Sequence, residues 1–421
     1  PFTRRLFRNE IFPDQDIVQG QTQALFSLDL NYKPAERGPY NFNPAATDNA
    51  LPNPETRFAG ISRQLSTTDF ERSNVEYIQF WLMDPFIYEE YTNNQGGKLV
   101  FNLGNISEDV LKGGRKQYEN GLPEDGSTLN TIQTNWGRVP SNQSLVYTFS
   151  STGPDRENQD VGLDGLNDAD EAAFFPSFAG QEDPARDNYT YFLQAEGSLL
   201  ERYDFYNGTQ GNSPETLSNT NRGSTAQPDV EDINRDNTMN TVDSYFEYAI
   251  DIRPGMNLES PYVTDIKEIT VPTPANQDLP VRWIQFRIPL SEYTDAVNGI
   301  ADFRSIRFMR MYLTGFEQET VLRFGTMELY RGDYRRYTES LDADNSPNEL
   351  DNTTFENEAV GVIQNSNYVI PPGVYREELN NNNNIIRQDE QSLALRVCDL
   401  QPEDARAVYK NFNVDMRQYK N

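Results

Sequence analysis

A chain of 421 residues with a 36% hydrophobic fraction has the material for at least one complete core, and its length suggests two or three domains. Lys plus Arg number 36 against 65 Asp plus Glu, a formal charge of -29, so nucleic acid and anionic lipid surfaces are repelled rather than bound. Histidine is absent, which removes Ser-His-Asp and Cys-His nucleophile activation, imidazole zinc ligands and a histidine pH switch; no enzyme is expected.

The first residues, PFTRRLFRNEIFP, carry neither an initiator Met nor a signal peptide, and the chain reads as a processed piece of something larger. Seven runs then have the β-branched and aromatic enrichment of strands: QALFSLDLNY, NVEYIQFWLMDPF, GKLVFNLGNI, SYFEYAIDI, VRWIQFRIPL, SIRFMRMYLTGF and TVLRFGTMELYRG. The run around Trp81 is apolar on both faces, as expected of a central strand. In VRWIQFRIPL, by contrast, Ile284, Phe286 and Ile288 share one face, and Gln285 and Arg287 are expected on a solvated one. Ser107 predicts a capped helix over EDVLKGGRKQYEN, weakened by Gly113 and Gly114.

From about 105 to 244 the chain is dense in Asn, Asp, Gly, Ser and Pro, yet short aromatic runs such as NYTYFL and ERYDFY interrupt it. It reads as an elaborate insertion rather than a flexible linker. Within it, Trp136 is expected in the core rather than as a sugar-stacking platform.

The stretch DINRDNTMNTVD has the spacing of an EF-hand-type calcium loop. Its ligand positions fall on Asp232, Asn234, Asp236, Thr238 through its carbonyl, Asn240 and Asp243. Asn237 stands where such loops carry Gly, Asp243 is shorter than the usual bidentate Glu, and the following SYFEYAIDI alternates like a strand where a helix would be required. A less regular acidic cluster, DVGLDGLNDADE, adds Asp160, Asp164 and Asp168 as weaker metal candidates. Calcium is the one cofactor these patterns suggest.

After Tyr337, the polar stretch SLDADNSPNELDNTTFENE reads as a domain boundary, and Asn380 to Asn384 as a loop. SLALRVCDLQPEDARAVYKNFN then echoes ALFSLDLNYKPAERGPYNFN, with Pro402, Arg406 and Tyr409 matching Pro34, Arg37 and Tyr40. That echo suggests the opening of a second copy of the first β domain. The single cysteine, Cys398, lies in this segment, where alternation predicts a half-buried, inert thiol.

Several longer segments carry a resemblance: DIVQGQTQALFSLDLNYKPAERGPYNFNP, NVEYIQFWLMDPF, GKLVFNLGNISEDVLKGGRKQYENGLP, WGRVP, QDVGLDGL, PDVEDINRDNTMN, MELYRGDYRRY and YVIPPGVYREELNNNNNIIRQDEQSLALRVC. Together they resemble the SprA/Sov family, the very large outer-membrane translocons of the type IX secretion system in Bacteroidetes. The resemblance implies a giant export barrel with soluble domains attached. It also implies as partners the remaining segments of the same chain, a PorV-type barrel protein, a plug protein and secreted cargo, and no catalytic residues. The last strands are also similar in order to galactose-binding-like carbohydrate modules.

The expectation is therefore a mainly β chain. A jelly-roll, galactose-binding-like β-sandwich would span residues 1–340, interrupted by the insertion at about 105–244, and residues 341–421 would supply a linker and the first part of a second sandwich. Its expected role is a non-catalytic structural and partner-docking region of an outer-membrane translocon, facing periplasm or cell exterior. The alternative is an independent, calcium-stabilised glycan-binding module at the cell surface.

Overall fold

The computed structural model describes residues 1–15, 23–91, 93–143, 148–150, 153–273, 277–337, 341, 352–362, 365, 368–381, 384–388, 390–402 and 404–411. Ten strands build two five-stranded antiparallel sheets: β1 (Leu28–Tyr32), β2 (Phe58–Gln64), β3 (Val75–Met83), β4 (Gly97–Asn105), β5 (Ser244–Ile252), β6 (Val263–Pro272), β7 (Asp278–Pro289), β8 (Asp295–Ala296), β9 (Phe308–Thr314) and β10 (Thr320–Arg331). One sheet runs β6-β7-β3-β10-β1 and the other β8-β5-β4-β9-β2. The chain is mainly β and forms a sandwich, as its strand-rich runs predict.

The alternation in each strand explains the layering. Phe246, Tyr248, Ile250 and Ile252 of β5 all point inward and are buried, as are Ile284, Phe286 and Ile288 of β7. Both sets meet Ile78, Phe80 and Leu82 of β3 and Leu99, Phe101 and Leu103 of β4 in one core between the sheets. Phe80 sits opposite Phe286 in register and stacks on it with ring centroids 5.0 Å apart; Phe324 meets its edge at 5.6 Å. Tyr248, deep in this core, donates its hydroxyl to the Leu290 carbonyl at 2.8 Å.

The outer face of the first sheet is covered, which corrects one expectation. Gln285 and Arg287 are 2% and 5% exposed, not solvated. Trp81, Met83 and Trp283 on this face are sealed beneath Phe2, Leu6 and Ile11 of the N-terminal segment. Arg323 holds that segment down by donating to the Phe2 carbonyl at 3.0 Å, and Arg4 clamps Glu10 with two bonds of 2.7 Å. Gly325 marks a bulge in β10 at this contact: a Cβ there would lie 2.3 Å from the Ile11 side chain. Arg287 also pairs with Glu358 beyond the sandwich.

Beyond the sandwich the chain forms two-stranded ribbons. β11 (Thr354–Gly361) pairs with β14 (Gln391–Cys398), and β12 (Glu378–Asn381) with β13 (Asn384–Arg387). The Asn-rich run expected as a loop is the end of this second hairpin, and its residues 382–383 lie outside the described residues. The expected boundary stretch also lies largely outside them, over residues 342–351. Cys398 is exposed, not half-buried, because the ribbon has only two strands and both faces of its end are uncovered among the described residues: Arg396 beside Cys398 on one face and Leu395 and Val397 on the other are exposed as well.

Residues 106–243 connect β4 to β5. The helix expected after Ser107 does not form. Carboxylates take the backbone N–H groups a helix would need: Glu231 accepts from Leu111 and Gln117, and Asp109 from Gly113 and Gly114. The two glycines lower the cost of that alternative.

Candidate functional site

The insertion is fastened to the sandwich by the loop between β1 and β2. Arg37, 3% exposed, donates to the Pro184 carbonyl at 2.7 Å and to Gln181 at 2.9 Å, and lies 3.8 Å above the Phe178 ring. Lys33 pairs with Asp204 at 2.9 Å. Phe42 packs on Phe175 and Phe178, which with Leu166 form a small core under the segment.

Above that floor three acidic side chains meet. Asp164 comes from the VGLDGL turn, where Gly162 and Gly165 adopt φ of +81° and +68°. Glu171 lies in α1 (Asp168–Phe174), whose first turn Asn167 caps by accepting from the Ala169 and Asp170 amides. Asp187 arrives from the next loop; a Cβ on Gly162 would lie 2.2 Å from its Oδ2, so only glycine permits the approach. Carboxylate oxygens of Asp164, Glu171 and Asp187 lie within 4.8 Å of one another, and so do those of Asp168, Glu171 and Asp183.

Each member of the first trio has one anchored oxygen and one free. Asp164 Oδ1 accepts from the Leu166 amide, Glu171 Oε2 from the Ala185 amide and Asp187 Oδ2 from the Thr209 hydroxyl. Asp164 Oδ2, Glu171 Oε1 and Asp187 Oδ1 are buried without a hydrogen-bond partner. Desolvation, then mutual repulsion, holds Asp164 and Asp187 well above the ordinary carboxylate range, and burial pushes Glu171 up to about 8. Trp136, half-buried, shares a cleft with Tyr40, Asp164 and Asp187 rather than joining the main core.

Of the acids singled out from sequence, Asp164 is in this trio and Asp168 in the overlapping one. Asp160 is not: its Oδ2 accepts from the Ser213 amide, beside Asp229 and Glu119. Asp183 and Asp187 were invisible to local spacing, because the fold brings them from another loop.

The Asp232–Asp243 loop has its own geometry. Asp232, 4% exposed, accepts from the Asp236 and Asn237 amides and from Lys116 Nζ at 2.9 Å. Asn237 takes φ +64°, the left-handed turn expected of glycine there. Asp236 binds the Thr238 amide and hydroxyl, Asn240 is held by Glu108, and Asp243 Oδ1 accepts from the Ser107 amide. Asn234 donates to Asp236. Beyond Asp243 the chain enters β5, not a helix.

No helix among the described residues is long and apolar enough to cross a membrane. No curated protein matches the sequence. The SprA_N family, described as motility related/secretion protein, matches residues 170–421, more than half of the chain. That description names motility and secretion and no catalysis. The match takes in Glu171, Asp183 and Asp187, the Asp232 loop, six sandwich strands and the C-terminal ribbons, and the chain belongs to this SprA-type family of secretion proteins.

Proposed function

We propose that this chain is a non-catalytic structural and docking region of a type IX secretion translocon, held at the bacterial outer membrane by the rest of a longer polypeptide. The family match supports the secretion setting. The observation that carries docking is β2: an edge strand, exposed at all seven positions, with Phe58 and Ile61 70% and 46% accessible. Its free edge suits strand addition by another segment of the same translocon chain, or contact with a PorV-type barrel or plug protein. The net charge of -29 would keep the wall from adhering to cargo as it passes.

The strand order supports a jelly-roll reading, since β10 inserts between β1 and β3 in one sheet while β9 inserts between β2 and β4 in the other. Burial of Trp81 and Trp283 under the N-terminal segment favours a structural role over a glycan-binding module, which would present such aromatics to solvent. Residues 341–421 are read as a linker and the opening of a second sandwich.

The test is a photo-cross-linking residue at Ile61 in the full-length protein of source cells. Adducts in the outer-membrane fraction with another translocon segment or a barrel partner are expected. A soluble protein without adducts, binding glycans on an array, would overturn the proposal.

A further inference from the structure

Three buried carboxylates within 4.8 Å of one another face a stark choice. Ionised and uncompensated they repel in a medium of low dielectric, so they must either bind protons or bind a cation. The Arg37 guanidinium acts on Glu171 only through space, because its hydrogen bonds go to the Pro184 carbonyl and Gln181 instead. Protonation alone would leave hydroxyl donors needing acceptors, and each of the three free oxygens lacks any partner.

We propose that Asp164, Glu171 and Asp187 bind a calcium ion through these three free oxygens, with Asp168 and Asp183 completing the charge around Glu171. The donor set is all oxygen, the chain has no histidine, and Cys398 lies in the C-terminal ribbon, which selects a hard cation over zinc or copper. Calcium fits better than magnesium because its ligand number is variable, and this site is assembled from two turns and one short helix. Gln210 adds a neutral oxygen beside the site: its Oε1 is buried and unpartnered, its side chain bonds Asp168, and its backbone N–H donates to the Asp187 carbonyl at 3.0 Å. The ion would tie the VGLDGL turn, α1 and the Asp187 loop into one unit, next to the Arg37 anchor.

This site is preferred to the Asp232–Asp243 loop because Lys116 already neutralises Asp232 there, while Asp236 and Asp243 are engaged by neighbouring groups.

The experiment compares thermal unfolding of the 421-residue chain in calcium and in chelator, with Glu171→Gln and Asp243→Asn as variants, and follows terbium luminescence sensitised by Trp136 as direct binding. Glu171→Gln keeps the oxygen that accepts from Ala185 and places an amide nitrogen at the free position, so it should fold and melt higher than the parent in chelator. Calcium should raise the parent midpoint by roughly 3 °C at about a hundredfold excess over Kd, leave Glu171→Gln unmoved and act on Asp243→Asn as on the parent. Calcium should also displace the terbium signal. Equal parent midpoints with and without calcium would overturn the proposal, as would a response kept by Glu171→Gln and lost in Asp243→Asn. Should Glu171→Gln fail to fold, Asp187→Asn, which preserves the Thr209 bond, makes the same comparison.

Discussion

Arg37 and Pro184, 147 residues apart, are joined by a buried 2.7 Å hydrogen bond from guanidinium to carbonyl. Through it the β1–β2 loop grips the insertion, and Tyr40 of the same loop, at φ +61°, bonds Thr209, the residue that orients Asp187. Arg37→Ala should therefore expose the Pro184 carbonyl and uncover Phe178, costing about 2 kcal/mol. Arg37→Lys retains the charge but cannot span Pro184 and Gln181 while stacking on the ring, so it should rescue only part. Limited proteolysis checks this: cleavage within residues 106–243 should quicken in both variants, most in Ala. Unchanged cleavage would mean that the insertion is held by other contacts.

Phe80 is the hub of the inter-sheet core, in ring contact with Phe101, Phe286 and Phe324. Phe80→Ala should cost about 3–5 kcal/mol through lost burial and a cavity the two sheets cannot close. Ile61→Ala, on the exposed edge strand, should stay within about 0.5 kcal/mol. Urea midpoints of the two variants measure the contrast directly.

A third prediction concerns pH. Burial, more than any neighbouring charge, pushes Asp160 and Asp229 up to about 6 and Glu231 up to about 7. A carboxyl raised in the folded state binds more protons folded than unfolded between its two pKa values, so its stabilising contribution is complete below about pH 4 and is lost as pH rises through 6 to 7. In chelator the melting midpoint should therefore fall from pH 5 to pH 7.5, contrary to ordinary acid denaturation. Asp160→Asn keeps the oxygen that accepts from Ser213 and should flatten the slope. A midpoint that rises over this interval would show that these acids are solvated.

Legibility from sequence followed burial. β3, β5, β7 and β10 were readable because a covered face imposes alternation or a continuous apolar run. β2 was not, since all its positions are exposed, and neither was β6, an edge strand that mixes Val263, Asp265 and Val271 as its buried residues. The false helix after Ser107 failed because Asp109 of the segment itself and Glu231 from the far end of the insertion took the amides that local amide-to-carbonyl bonds would have used. Asp164 stood out by acidic spacing, whereas Asp187 depends on a loop brought alongside by Gly162, and no local pattern marks it.

The apolar row of β14 offers a test of the second-sandwich reading. In the 421-residue chain Leu393, Leu395 and Val397 share one face at 37%, 53% and 41% exposure, while Cys398 alternates to the other face. Such a row is the alternation of a strand whose covering layer lies elsewhere. In this chain a maleimide should modify a Leu395→Cys, Cys398→Ser variant fully without denaturant. In the full-length protein the same thiol should react at least tenfold more slowly, because burial lowers both access and thiolate population. Equal rates would mean that the face stays open, and β11 with β14 would then be a peripheral ribbon rather than the start of a domain.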